Sequence, residues 1–104
     1  MKTKLTHSQL ISLVNVFRTI VQDDAPVPEK FEAKLLLALL EGIQKKLERR
    51  AIDKKKKYNI TFNAVEALSF WLFFSKYHYF DEGQAYEAHL IQMISNSIHQ
   101  KFTT

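Results

Sequence analysis

Residues 58–80 read YNITFNAVEALSFWLFFSKYHYF, and the reading of this stretch decides the fold. It holds nine of the chain's thirteen aromatic residues, including the single tryptophan, Trp71. An amphipathic helix buries one stripe and wets the other, and this segment has more apolar surface than one stripe can hold. It is therefore expected as the central helix, covered by the rest of the chain. Two capping patterns compete for its start. Asn63-Ala64-Val65-Glu66 is one, and Thr61, with Ile60 and Val65 as a hydrophobic staple, is the other. Thr61 is favoured because it keeps Phe62 helical, giving a helix over 61–79. Projected at the helical period, Ala64, Val65, Ala67, Leu68, Trp71, Leu72, Ser75 and Tyr79 share the expected core face, with Trp71 near its centre. Phe62, Glu66, Ser69, Phe73, Lys76 and Tyr77 fall on the opposite side, with Phe70 at the margin.

The flanking sequence supplies three more helices. Thr6-His7-Ser8-Gln9 is a capping box with Leu5 and Leu10 at the staple positions. Leu10, Leu13, Val14, Phe17, Ile20 and Val21 continue it as one stripe, predicting a helix over 6–22 that Asp23, Asp24 and Pro26 bring to a stop. A second helix, 28–51, starts at Pro28 with Glu29 and Glu32 at the positive end of its dipole. Phe31, Leu35, Leu36, Leu39, Ile43 and Leu47 make its expected core stripe, which Leu37 and Leu40 extend sideways. A last helix, 82–102, opens on Asp81-Glu82-Gly83-Gln84 and buries Tyr86, Leu90, Ile91, Met93, Ile94, Ile98 and Phe102. The expectation is an all-α four-helix bundle, up-down or distorted, with its third helix central and residues 1–104 in one domain.

Composition agrees with that. Two glycines and two prolines are too few for the many tight turns of an all-β chain. Without cysteine there is no disulfide, cysteine-based zinc site, iron–sulfur cluster or thiol chemistry. The first apolar stretch is broken by His7, Ser8, Gln9, Ser12 and Asn15, a poor signal-peptide core. No uncharged run approaches the roughly 18–20 residues that span a bilayer. A soluble, cytoplasmic protein that does not act on membranes is expected.

The chain carries a net charge of +4, placed unevenly. Lys45, Lys46, Arg49, Arg50, Lys54, Lys55, Lys56 and Lys57 oppose only Glu48 and Asp53 within 45–57, so the remainder is slightly acidic. Such a block either lies solvated at a helix end or contacts phosphates, with Tyr58 and Asn59 beside it for base or sugar contacts. A helix-turn-helix does not fit, because the connection before the aromatic helix is too long and that helix is too apolar to lie in a groove.

Catalytic signatures are absent from the sequence. His7, His78, His89 and His99 show no zinc-ligand spacing. Asp23-Asp24 and Asp81-Glu82 adjoin helix ends, where capping or chain termination explains them. There is no glycine-rich phosphate loop. No enzyme activity, cofactor, metal or small-molecule substrate is expected. The reading is a non-catalytic interaction module that self-associates as a homodimer, with Phe62, Phe73 and Tyr77 as aromatic anchors between Glu66 and Lys76. The alternative is a nucleic-acid-binding accessory protein using the basic block.

Overall fold

A computed structural model describes residues 1–22 and 30–103. The predicted start at Pro28 and Glu29 and the stop signals Asp23, Asp24 and Pro26 lie outside them. The described residues are mostly helical, with four helices and a two-stranded ribbon among them: β1 (Lys2–Thr6), α1 (His7–Gln22), α2 (Phe31–Ile52), β2 (Lys57–Thr61), α3 (Ala64–Lys76) and α4 (Ala85–Thr103). A 3-10 turn, Glu82–Gln84, leads into α4.

The ribbon departs from the all-α expectation. KTKLT and KYNIT each alternate between faces, which is the period of a strand. They pair antiparallel, with Leu5 opposite Tyr58 and Thr3 opposite Ile60 on the inward side. Lys2 faces Thr61, Lys4 faces Asn59 and Thr6 faces Lys57 on the outward side. Backbone bonds continue past both ends of the ladder, from Phe62 N–H to Met1 O at 2.7 Å and from His7 N–H to Lys56 O at 3.3 Å. Thr61 is thus the last residue of β2 rather than a helix cap.

α1 follows its sequence pattern. The Thr6 hydroxyl accepts from Gln9 N–H at 3.2 Å, and the Gln9 side-chain Oε1 accepts from Thr6 N–H at 2.9 Å. Leu5, Leu10, Leu13, Val14 and Phe17 are buried. α3 is capped by Asn63, whose side chain accepts from Glu66 N–H at 2.8 Å while Glu66 accepts from Asn63 N–H at 2.9 Å.

The buried face of α3 is rotated from the projected one and keeps only Ala67 of it. Ala67, Ser69, Phe70, Phe73 and Phe74 point inward, whereas Val65 and Leu68 are exposed and Trp71 and Leu72 are half-buried. Aromatic packing decides the rotation. Phe70 and Phe74 meet Phe17, and Phe70 also meets Phe62, with ring centroids 5.8–6.1 Å apart, while Phe70 and Phe74 lie 4.8 Å from each other. Trp71 instead lies at the edge of the core, stacked on His99 at 5.9 Å. α2 is also turned from its projected stripe. It buries Ala33, Leu36, Leu40, Ile43, Gln44 and Leu47, leaving Phe31 and Leu35 exposed. α4 buries Leu90, Ile91, Ile94, Ser95 and Ile98, with Tyr86, Met93 and Phe102 outside. The order of packing is α1 on α2, α2 on α3, and α4 on both α3 and α1.

Candidate nucleic-acid interface

The basic block does not remain one surface once the chain folds. Lys45 pairs with Glu41 one helical turn earlier, at 3.6 Å. Lys46 is taken inward: its ammonium pairs with Glu66 at 2.9 Å, donates to the carbonyl of Thr61 and sits 5.6 Å above the Phe62 ring. Arg49 bonds the Lys45 carbonyl at 3.3 Å and lines an open cleft with Arg18, Lys45, Glu48 and Ile52. Arg18 and Glu48 are paired across that cleft at 3.0 Å.

The other four lysines are arranged by Tyr58. Its ring is 2% exposed, so it packs in the core and is not free to stack on a base as the sequence suggested. Its hydroxyl donates to the carbonyl of Asp53 and accepts from Lys55 N–H at 3.0 Å. With its one proton committed there, the hydroxyl is left as acceptor for His7 Nδ1, 3.1 Å away. Tyr58 thereby pins the first half of the 53–57 turn, from Asp53 to Lys55; Lys54, Lys55, Lys56 and Lys57 are all exposed. Arg50 donates to the carbonyl of Asn59 at 3.2 Å, which ties the end of α2 to the ribbon.

The register of the ribbon then adds cations that the sequence reading missed. Lys2 and Lys4 stand on the same outward face as Lys57, between Thr6, Asn59 and Thr61. Neither these three lysines nor Lys54, Lys55 and Lys56 form an ion pair among the described residues. The signal was present as the alternation in KTKLT, but its partner strand lies more than fifty residues away.

Two of the three aromatic anchors expected to mediate self-association are buried. Phe62 is 1% and Phe73 5% exposed, enclosed by their own chain. Tyr77 is half-buried beside Phe73, at 6.3 Å. Glu66 and Lys76 have partners within the chain, Lys46 at 2.9 Å and Glu32 at 3.4 Å. The Glu32 carboxylate, with a smaller contribution from Tyr77, holds the Lys76 ammonium above its ordinary value. Phe62, just before α3, and Phe73 within it are thus turned toward the core instead of toward water.

The histidines are dispersed. His78 and Phe80 line two small cavities, one of about 100 Å³ against α1 and one of about 300 Å³ between α3 and α4. Burial pushes the His78 pKa down. Among the described residues no three His, Cys, Asp or Glu side chains converge as metal ligands. Among the same residues no helix is long and apolar enough to cross a membrane. Comparison with protein-family models, curated proteins and solved structures returned no match.

Proposed function

We propose that this protein is a non-catalytic, cytoplasmic accessory factor, an up-down helical domain that binds duplex nucleic acid through its sugar-phosphate backbone. One observation carries the reading. The β1–β2 register joins Lys2, Lys4 and Lys57 to the Lys54–Lys56 turn, with Asp53 the carboxylate among them. A surface so biased in sign attracts polyanions and gains from the release of their counterions. Thr6, Asn59 and Thr61 lie between the lysines and supply hydrogen-bonding groups for phosphate and sugar oxygens.

The chemistry favours backbone over base recognition. Lysine offers a point charge rather than the planar fork that reads guanine edges, and it dominates this surface. The nearby rings of Tyr58 and Phe62 are buried, so the ribbon offers no aromatic platform of the kind that holds single strands. Duplex is therefore preferred to single strand of equal length.

The test is a titration of a short labelled duplex at low salt, with the wild-type protein and with Lys54–Lys57 replaced by glutamine. The variant keeps its helicity but binds roughly tenfold or more weakly, with a flatter salt dependence. Unchanged affinity in the variant, or no wild-type binding at low salt, refutes the proposal. Tighter binding to single strands refutes the duplex preference.

A further inference from the structure

We propose that the cavity between α3 and α4 is a binding site for a small, uncharged, planar heteroaromatic molecule that carries a ring N–H. None of its lining residues belongs to the basic ribbon, and its use does not depend on nucleic-acid binding. The cavity holds about 300 Å³, at the lower end of the range for small-molecule sites, which suits one or two fused rings. The sequence creates this space by setting small side chains, Ser75 of α3 and Ala88 and Ser95 of α4, among large rings. Phe74 and Ser95 are buried whereas Ser75 and Gln92 are exposed, so the cavity has its floor in the core and its mouth in solvent. Its walls are braced by rings of the same chain. Phe80 lies nearly parallel to Phe74 at 6.2 Å and edge-on to His78 at 4.6 Å, and Trp71 is stacked on His99 at 5.9 Å. Walls held in this way lose little side-chain freedom when a ligand enters.

The lining sets the chemistry of the occupant. It contains no Asp, Glu, Lys or Arg, and burial pushes the His78 pKa down, so that ring is uncharged at neutral pH. A charged ligand would lose its water there without gaining a counter-charge. The rings of Trp71, Phe74 and Phe80 favour a flat aromatic partner, met by stacking or edge contacts. The polar groups at the mouth call for a donor. Ser75 gives its hydroxyl proton to the Trp71 carbonyl at 2.6 Å, and the Gln92 side chain gives an amide proton to Asn96 at 2.8 Å. Neither the Ser75 hydroxyl oxygen nor the Gln92 side-chain carbonyl accepts a hydrogen bond among the described residues. Both remain as acceptors, which a ring N–H satisfies.

Indole is the probe. Titrated into isotope-labelled protein and followed by NMR, it should give saturable shifts at the Trp71 side-chain N–H and at the amides of Ser75, Gln92 and Ser95, with the amides of the β1–β2 ribbon unmoved. N-methylindole, which lacks the donor, and indoleacetate, which is charged, should each bind several-fold more weakly. Ala88→Leu puts a larger side chain into the cavity from a half-buried position on α4. It should weaken indole binding roughly tenfold or more at unchanged helicity. Gln92→Leu, at an exposed position, should narrow the gap between indole and N-methylindole, and it carries the test by itself if Ala88→Leu loses helicity. No saturable shift with indole, shifts scattered over the whole surface, or undiminished binding by a folded Ala88→Leu variant overturns the site. Equal binding of the three probes, or an unchanged gap in Gln92→Leu, overturns the assigned ligand class.

Discussion

Lysine does opposite work at the ribbon and at the contact between α2 and α3. Lys46 and Lys76 are each held by a carboxylate of a neighbouring helix and set the register of α2 against α3. Lys2, Lys4 and Lys54–Lys57 surround a turn pinned by the Tyr58 hydroxyl and form no ion pair among the described residues. What separates a structural cation from one available to an external anion is whether the fold places a carboxylate within reach. Lys45 and Lys46 are adjacent in sequence, yet one lies on the solvent face of α2 and the other is bound above Phe62. Membership of a basic run therefore says little about a lysine's role.

The largest effect that can break this comparison is expected at Tyr58, which holds the available lysines in place. Tyr58→Ala removes a buried ring and should cost about 3–5 kcal/mol of stability in chemical denaturation. Tyr58→Phe keeps the ring but leaves the Asp53 carbonyl and Lys55 N–H without their partner. It should cost about 1–3 kcal/mol and speed amide exchange at Lys55 more than at α3. Equal protection at Lys55 in the two proteins would show that the turn is ordered by something else.

On the paired side, Glu66 both closes the cap of α3 and holds Lys46. Glu66→Ala should destabilise by about 1–2 kcal/mol, while duplex affinity at low salt stays the same or rises. A loss of binding comparable to that of the Lys54–Lys57 variant would erase the distinction between the two sets of lysines.

A smaller effect comes from pH. Burial holds the folded-state pKa of His78 below its ordinary value of 6.5. The unfolded chain then takes up this proton at higher pH than the folded one, so the stability contribution is complete above about pH 6.5 and declines as pH falls below it. Denaturation midpoints for the wild-type protein and His78→Gln should converge on acidification from about pH 7.5 to about pH 5.5. Parallel pH profiles would show that His78 does not titrate between the two states.

The elements with local signals were legible in the sequence. The Thr6–Gln9 box forms, as does the Asp81–Gln84 pattern, with Asp81 accepting from Gly83 N–H at 3.1 Å, while α3 takes the Asn63–Glu66 box over the favoured Thr61. What failed was choosing among faces. Phe70, Trp71, Leu72, Phe73 and Phe74 point in nearly every direction around α3, so a projection cannot say which side the phenylalanines of α1 and β2 will claim. Leu35, Leu36, Leu37, Leu39 and Leu40 pose the same ambiguity in α2. Trp71 shows the consequence: expected at the centre of the core, it is half-buried against His99. The strands were illegible for a different reason. Five residues of alternation are a weak signal, and neither segment shows its pairing until the other is beside it. For the candidate interface, the lysine run was visible, but its division between Glu66 and solvent, and the addition of Lys2 and Lys4, follow from tertiary contacts.

The central claim is that the ribbon, rather than the 45–57 run alone, forms the anion-binding surface. The direct measurement is the salt dependence of duplex affinity for the wild-type protein and for Lys2→Gln/Lys4→Gln, which leaves the run untouched. If both side chains contact phosphates, the slope of log K against log salt becomes shallower by about 1.8, about 0.9 for each contact removed, with thermal stability unchanged. An unchanged slope and affinity in that variant would contradict the claim and return binding to the run itself.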